Sequence, residues 1–184
     1  MLIRPAEIAD AQAIGAAHVQ VWNETYRGIM PDTLLDRLNA AERGKVWAER
    51  MPSFRQNRQT LVVAEDDGVV VAFAGCGPRR KENLASDGEI YMINIVRNAK
   101  RRHTGTKLML AMADALAADG FEGAGLWVLE KNVPARAFYE RLGGTPDVVS
   151  EEAHDGVMLS DLAILWPHIE TLKERANAVL SASS

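Results

Sequence analysis

The sequence predicts a mixed α/β fold, a central sheet with both parallel and antiparallel strands flanked by helices. Three observations predict it. A strand-like run over residues 89–96, a helical run over 108–118 and a short apolar run over 125–129 follow one another. That order favours a right-handed parallel crossover. Asp66-Asp67-Gly68 separates two β-rich runs, a strong hairpin signal. Two further strand-like stretches near the C-terminus, over 148–151 and 156–166, favour antiparallel pairing.

The elements follow in order. Leu2 to Arg4 reads as a short strand closed by Pro5. Residues 10–26 place Ile14, Ala17, Val21 and Trp22 at helical spacing. Gly28 and Pro31 end that helix, and Asp32 is expected to cap a short one through Leu38. A third helix is expected over 41–50, then a polar loop over 52–58. The hairpin strands are 59–65 and 69–76, and a polar loop covers 79–88. Ile90, Ile93 and Ile95 do not alternate strictly, which fits burial on both faces or a local bulge. Leu108, Met112 and Leu116 form a helix stripe that stops at Asp119-Gly120. Asn132 can cap a helix with Pro134 in its first turn, running to Leu142. A terminal helix is expected over 167–179, with residues 180–184 a disordered tail. The whole chain, 1–184, is expected to form a single domain, because its length allows one real core and crowds two.

A formal net charge of −4 argues against a general nucleic-acid or membrane-surface partner, since both need a broad basic face. The longest apolar runs, such as 69–74, are too short to span a bilayer. The first residues lack the features of a secretion signal, and one cysteine excludes an intramolecular disulfide. A cytoplasmic protein is therefore expected. No His/Cys/Asp spacing suggests a metal site, and Cys76 is expected to be buried as a small hydrophobe.

Against this acidic background, residues 100–107 read Lys-Arg-Arg-His-Thr-Gly-Thr-Lys. Taken alone, such a run is most often a solvated face. Here it lies where a strand hands over to a helix, and the first helical turn offers unpaired N–H groups and partial positive charge. Such a turn suits a phosphate-bearing ligand. The backbone from Arg102 to Thr106 would do most of the binding, with Lys100, Arg101 and Arg102 adding charge. Two more positions carry chemistry. Glu89 starts the strand that feeds the turn, with Asp87 nearby as a substitute. Tyr139 lies about two turns beyond Asn132 and beside the Phe138/Leu142 pair, at the edge of a buried stripe.

Together these pieces resemble the GNAT N-acetyltransferase superfamily of bacterial type. Lys100-Arg101-Arg102-His103-Thr104-Gly105 falls in the register of its phosphate loop, Arg/Gln-x-x-Gly-x-Gly/Ala. Asn132, Ala135, Phe138, Tyr139 and Gly143 match in full a second signature, Asn-x-x-Ala-x-x-Phe-Tyr-x-x-x-Gly. The resemblance covers roughly residues 2–166. The chain departs from the pattern with Lys100 for arginine or glutamine, His103 for the first glycine and Arg97 for a common proline. If the loop needs a positive φ at position 103, histidine costs roughly 1 kcal/mol there.

The resemblance implies a central, partly splayed sheet and acetyl-CoA as cosubstrate, with no metal. It puts the pyrophosphate on Lys100, Arg101, Arg102, His103, Thr104, Gly105 and Thr106. The pantetheine arm would run along backbone near Ile93 and Ile95, and Asn132 would anchor that arm or the helix start. An acceptor amine with a pKa of about 10 must lose a proton before it attacks. Glu89, directly or through a water, is the implied base. Tyr139, a phenol with a pKa of about 10, is the implied donor to the leaving thiolate. Trp22 and Tyr26, with the loop 79–87, are implied to border the acceptor site. For Trp22 a core role is an equal alternative. The resemblance implies as acceptor a primary amine of a small molecule, amino acid or peptide, and a homodimer, if formed, is expected through the C-terminal strands. A second reading, prompted by His103, is a non-catalytic acyl-CoA-binding or sensor module with the same fold. A third, a phosphate or nucleic-acid binder using Lys100 to Lys107, is disfavoured by the net charge.

Overall fold

The computed structural model describes residues 1–154 and 157–182. Its elements are β1 (Leu2–Pro5), α1 (Ala11–Tyr26), α2 (Asp32–Leu35), α3 (Ala40–Arg50), β2 (Thr60–Asp66), β3 (Val69–Pro78), β4 (Gly88–Ile95), α4 (Thr104–Ala118), β5 (Ala124–Leu129), α5 (Val133–Arg141), β6 (Thr145–His154), β7 (Val157–Trp166) and α6 (Ile169–Ser181). The strands follow the order β1-β2-β3-β4-β5-β7-β6. β4 and β5 are parallel, whereas β1/β2, β5/β7 and β6/β7 are antiparallel. The mixed sheet and the β4–α4–β5 crossover are as the sequence predicts.

The chain divides into two compact units, Met1–Gly75 with Met92–Leu108, and Cys76–Tyr91 with Met109–Ser184. In the first, α1 and α3 meet at two glycines. A Cβ on Gly15 would lie 2.4 Å from the backbone nitrogen of Gly44, so Gly15 tolerates no side chain without moving a helix, whereas a Cβ on Gly44 would meet the Gln12 side chain at 2.5 Å. Ile14, Leu35, Val63, Ala64 and Phe73 are buried here. Arg4 ties β1 to its surroundings by bonds to Asp10 and Glu65. The hairpin turns through Asp67 at φ 51° and Gly68 at φ 78°, the pair of positive φ values that a tight two-residue turn demands.

In the second unit, Met109, Met112, Leu116, Leu142, Ile164, Trp166 and Leu172 are almost wholly buried. The Trp166 indole donates to the Leu142 carbonyl at 2.9 Å, which satisfies its one polar atom. Cys76 is 1% exposed within β3, as a small hydrophobe would be.

Several boundaries differ from expectation. Pro31, not Asp32, sits at the cap of α2. Asp32 acts by charge instead, pairing with Arg27 at 3.1 Å, and the helix stops at Leu35. α4 starts at Thr104, a turn earlier than its apolar stripe, because the buried Thr104 hydroxyl donates to the Ala99 carbonyl and fixes the entry. α6 continues through Ser181, with Leu172 and Ala176 buried one turn apart. Ser183 and Ser184 of the expected tail, and the expected strand start at Gly156, lie outside the described residues.

Candidate active site

The basic turn belongs to the first unit. After β4 the chain makes a short 3-10 turn over Arg97–Ala99 and enters α4 at Thr104. Arg101 and His103 both adopt φ 59°, the left-handed region where glycine is usual. His103 therefore holds a conformation usually left to glycine. The amide groups of Thr104, Gly105 and Thr106 form the first turn of α4, where no intrahelical acceptor exists. Thr104 and Thr106 are buried, whereas Lys100, Arg101, Arg102 and His103 are exposed. Arg102 is committed to an ion pair with Asp66 at 2.6 Å. Asp66 also pairs with the N-terminal amine at 3.4 Å. Lys100 and Arg101 carry the turn's remaining charge. Upstream on β4, Ile93 and Ile95 are half-buried and lie on one face of the strand, two residues apart.

Trp22 and Tyr26 also lie in the first unit, half-buried on α1 with ring centroids 5.2 Å apart. His18 stacks on Trp22 at 5.1 Å and on Phe73 at 6.0 Å. Burial, then the nearby charge of Arg43, pushes the His18 imidazole down to about 4, so it is neutral at pH 7. Neither of its ring nitrogens has a hydrogen-bond partner among the described residues.

Glu89 belongs to the second unit, where it pairs in register with Gly125 of β5. It is 1% exposed. Both its oxygens are engaged by Arg80. One accepts from the Arg80 backbone N–H at 2.7 Å, the other from Nε at 3.1 Å and Nη2 at 2.6 Å. The guanidinium also lies 4.2 Å from the centre of the Tyr91 ring. Arg80 and Tyr91 were not singled out from sequence. For Arg80 the signals were its place in the loop 79–87, implied to border the acceptor site, and the basic triplet Arg79-Arg80-Lys81 within it.

Asp87, the substitute carboxylate, is occupied with structure. It accepts from the backbone N–H groups of Gly88, Glu122 and Gly123 at 2.9 to 3.0 Å. Burial pushes its carboxyl up, but these bonds outweigh that and hold it below the usual range. Asn132 caps α5, with its side-chain oxygen 3.4 Å from the Ala135 amide. Tyr139 is half-buried, its ring edge-on to Trp166 at 6.3 Å and tilted against Phe138 at 5.3 Å.

Comparison with known proteins identifies the family and the fold. The model of the acetyltransferase (GNAT) family matches residues 17–144. The chain is 33% identical over 178 residues to the uncharacterized N-acetyltransferase YuaI of Bacillus subtilis, covering 95% of this chain and 98% of that one. Among solved structures, the PaiA N-acetyltransferase of Thermoplasma acidophilum in complex with coenzyme A matches with a TM-score of 0.66 and 19% identity, covering 88% of this chain and 96% of that one. YncA of Salmonella typhimurium, a putative acetyltransferase solved with acetyl-CoA, matches with a TM-score of 0.66 and 19% identity over 90% and 92% of the two chains. With the family model spanning more than half of its length and a relative matching nearly all of it, this chain belongs to the GNAT family of acetyltransferases.

Proposed function

We propose that the protein transfers the acetyl group of acetyl-CoA to a primary amine of a small molecule, amino acid or peptide, by direct attack. The observation that carries this is the basic turn between β4 and α4. Two left-handed residues and the unpaired amides of Thr104, Gly105 and Thr106 fit a pyrophosphate, because such N–H groups converge on anions. The solved relatives named above hold coenzyme A or acetyl-CoA, which supports the same cosubstrate here.

In this reading the backbone from Arg102 to Thr106, with His103, cradles the phosphates, and Lys100 and Arg101 supply charge. Arg102, tied to Asp66, stiffens the turn more than it charges it. The backbone near Ile93 and Ile95 holds the pantetheine arm, and one N–H there polarises the thioester carbonyl. Asn132 fixes the start of α5 and with it the place of Tyr139. Trp22 and Tyr26 line the acceptor side.

Glu89 takes the proton of the acceptor ammonium. A carboxylate has about four acceptor positions. Arg80 fills three, so the remaining one serves a water that relays the proton. The amine nitrogen then bonds to the acetyl carbon, the carbon–sulfur bond breaks, Tyr139 protonates the thiolate, and the nitrogen's second proton leaves through water, from which the Tyr139 phenolate is reprotonated. Thiol release from acetyl-CoA, measured with a panel of amines alongside calorimetric binding of acetyl-CoA, tests the function. Turnover with at least one amine is expected. Absence of both turnover and binding would overturn it.

A further inference from the structure

The loop after β3 lays two cations on one face of the second unit's strands. Cross-strand register fixes that face. Glu89 lies opposite Gly125, Trp127 opposite Ala163, and Ser150 opposite Asp161, so strand alternation puts Glu89, Tyr91, Trp127, Asp161 and Glu152 on the same side. Arg80 covers Tyr91 and pairs with Glu89. One residue on, Lys81 holds its Nζ 4.9 Å from the centre of the Trp127 ring and forms an ion pair with Glu152.

The Lys81 seat is the more telling of the two. A primary ammonium over an indole face, with a carboxylate beside it, is how proteins hold alkylammonium ligands. The occupant here is itself a primary alkylamine, the functional group on which acetyl transfer acts. Its hold is light. The Lys81 and Glu152 side chains are 31% and 39% exposed, and ion pairs at such exposure contribute little.

We propose that Trp127 and Glu152 seat the distal ammonium of a dicationic acceptor, an alkyl diamine, and that Lys81 holds this seat until the acceptor displaces it. The inference rests on the reading that the protein acetylates an amine. One end of the diamine gives its proton to Glu89 and takes the acetyl group; the other stays charged. The acidic face discriminates against an acceptor whose far end is a carboxylate.

The test compares 1,5-diaminopentane, 1-aminopentane and 5-aminopentanoate, which differ only in the far end. Thiol release gives kcat and KM, and calorimetric titration without acetyl-CoA gives Kd. In the wild type, the diamine should have the lowest KM and Kd. Lys81→Met should lower both for the diamine by roughly five- to tenfold, and by clearly less for 1-aminopentane, which has no far-end charge for Glu152. Glu152→Gln should raise both by a similar factor. Trp127→Leu should act like Glu152→Gln, which carries the test if the tryptophan variant does not fold. Equal KM and Kd for the diamine and 1-aminopentane, or no response of either to Lys81→Met, would overturn the seat while leaving acetyl transfer in place. Diamine binding that follows these variants without any thiol release would support the seat and overturn the transfer.

Discussion

The Arg80–Glu89 pair allows a quantitative test. Glu89 is 1% exposed, whereas the Arg80 side chain is 51% exposed, so water screens one end of the pair only. Arg80→Met keeps the backbone bond to Glu89 and an apolar stem against Tyr91, but deletes the bonds from Nε and Nη2. Charge-assisted bonds are worth about 1.5–3 kcal/mol each, and discounting for the exposed half leaves a loss of about 2–3 kcal/mol. Glu89→Gln keeps the shape and removes the charge, for about 1–2 kcal/mol. The double variant leaves neither a buried charge nor a cation without its partner. It should cost about 2 kcal/mol less than the sum of the single changes. Urea unfolding of all four proteins at pH 7 measures this, and Arg80→Met should melt about 5–10 °C below the wild type. Activity separates two roles for Glu89. As the base, it loses about 10²-fold or more in kcat on Glu89→Gln, while Arg80→Met, which keeps the carboxylate, loses much less. Equal losses in the two variants would mean that Glu89 merely positions Arg80. Additivity of the stability changes within about 0.5 kcal/mol would refute the structural reasoning itself.

Other predictions follow from single features. His103→Gly removes about 1 kcal/mol of left-handed strain, partly offset by glycine's freedom in the unfolded chain, so the melting temperature should rise by about 2 °C. A fall would mean that the imidazole makes a contact the turn needs. Asp87 has a depressed pKa, so its stabilisation is present above the unfolded value of about 3.9 and is lost as pH falls through the lower folded one. Asp87→Asn should therefore cost about 1 kcal/mol at pH 7, a figure already reduced for exposure, and the gap to wild type should close in urea titrations as pH falls below the ordinary carboxylate range. Tyr139→Phe should lower kcat by about 10²-fold with acetyl-CoA affinity nearly intact, and an unchanged kcat would remove Tyr139 from the proton path.

The sequence by itself determined the features that depend on near neighbours. The Asp67-Gly68 turn, the Asn132 cap and the helix stripe of α4 are local, because a turn or cap needs particular residues within a few positions. The basic turn was legible for the same reason, down to the strain at His103. Tertiary structure alone decided which charges are in use. Arg102 meets Asp66 across 36 positions, and that spends a cation that sequence had assigned to the phosphates. Asp87 is used up by amides of Glu122 and Gly123, 35 and 36 positions away, which removes it as a substitute base. Lys81 finds Trp127 and Glu152 only because β5, β7 and β6 pair in one register. Strand alternation says that a residue faces one side or the other; only the pairing of distant strands says what it meets there.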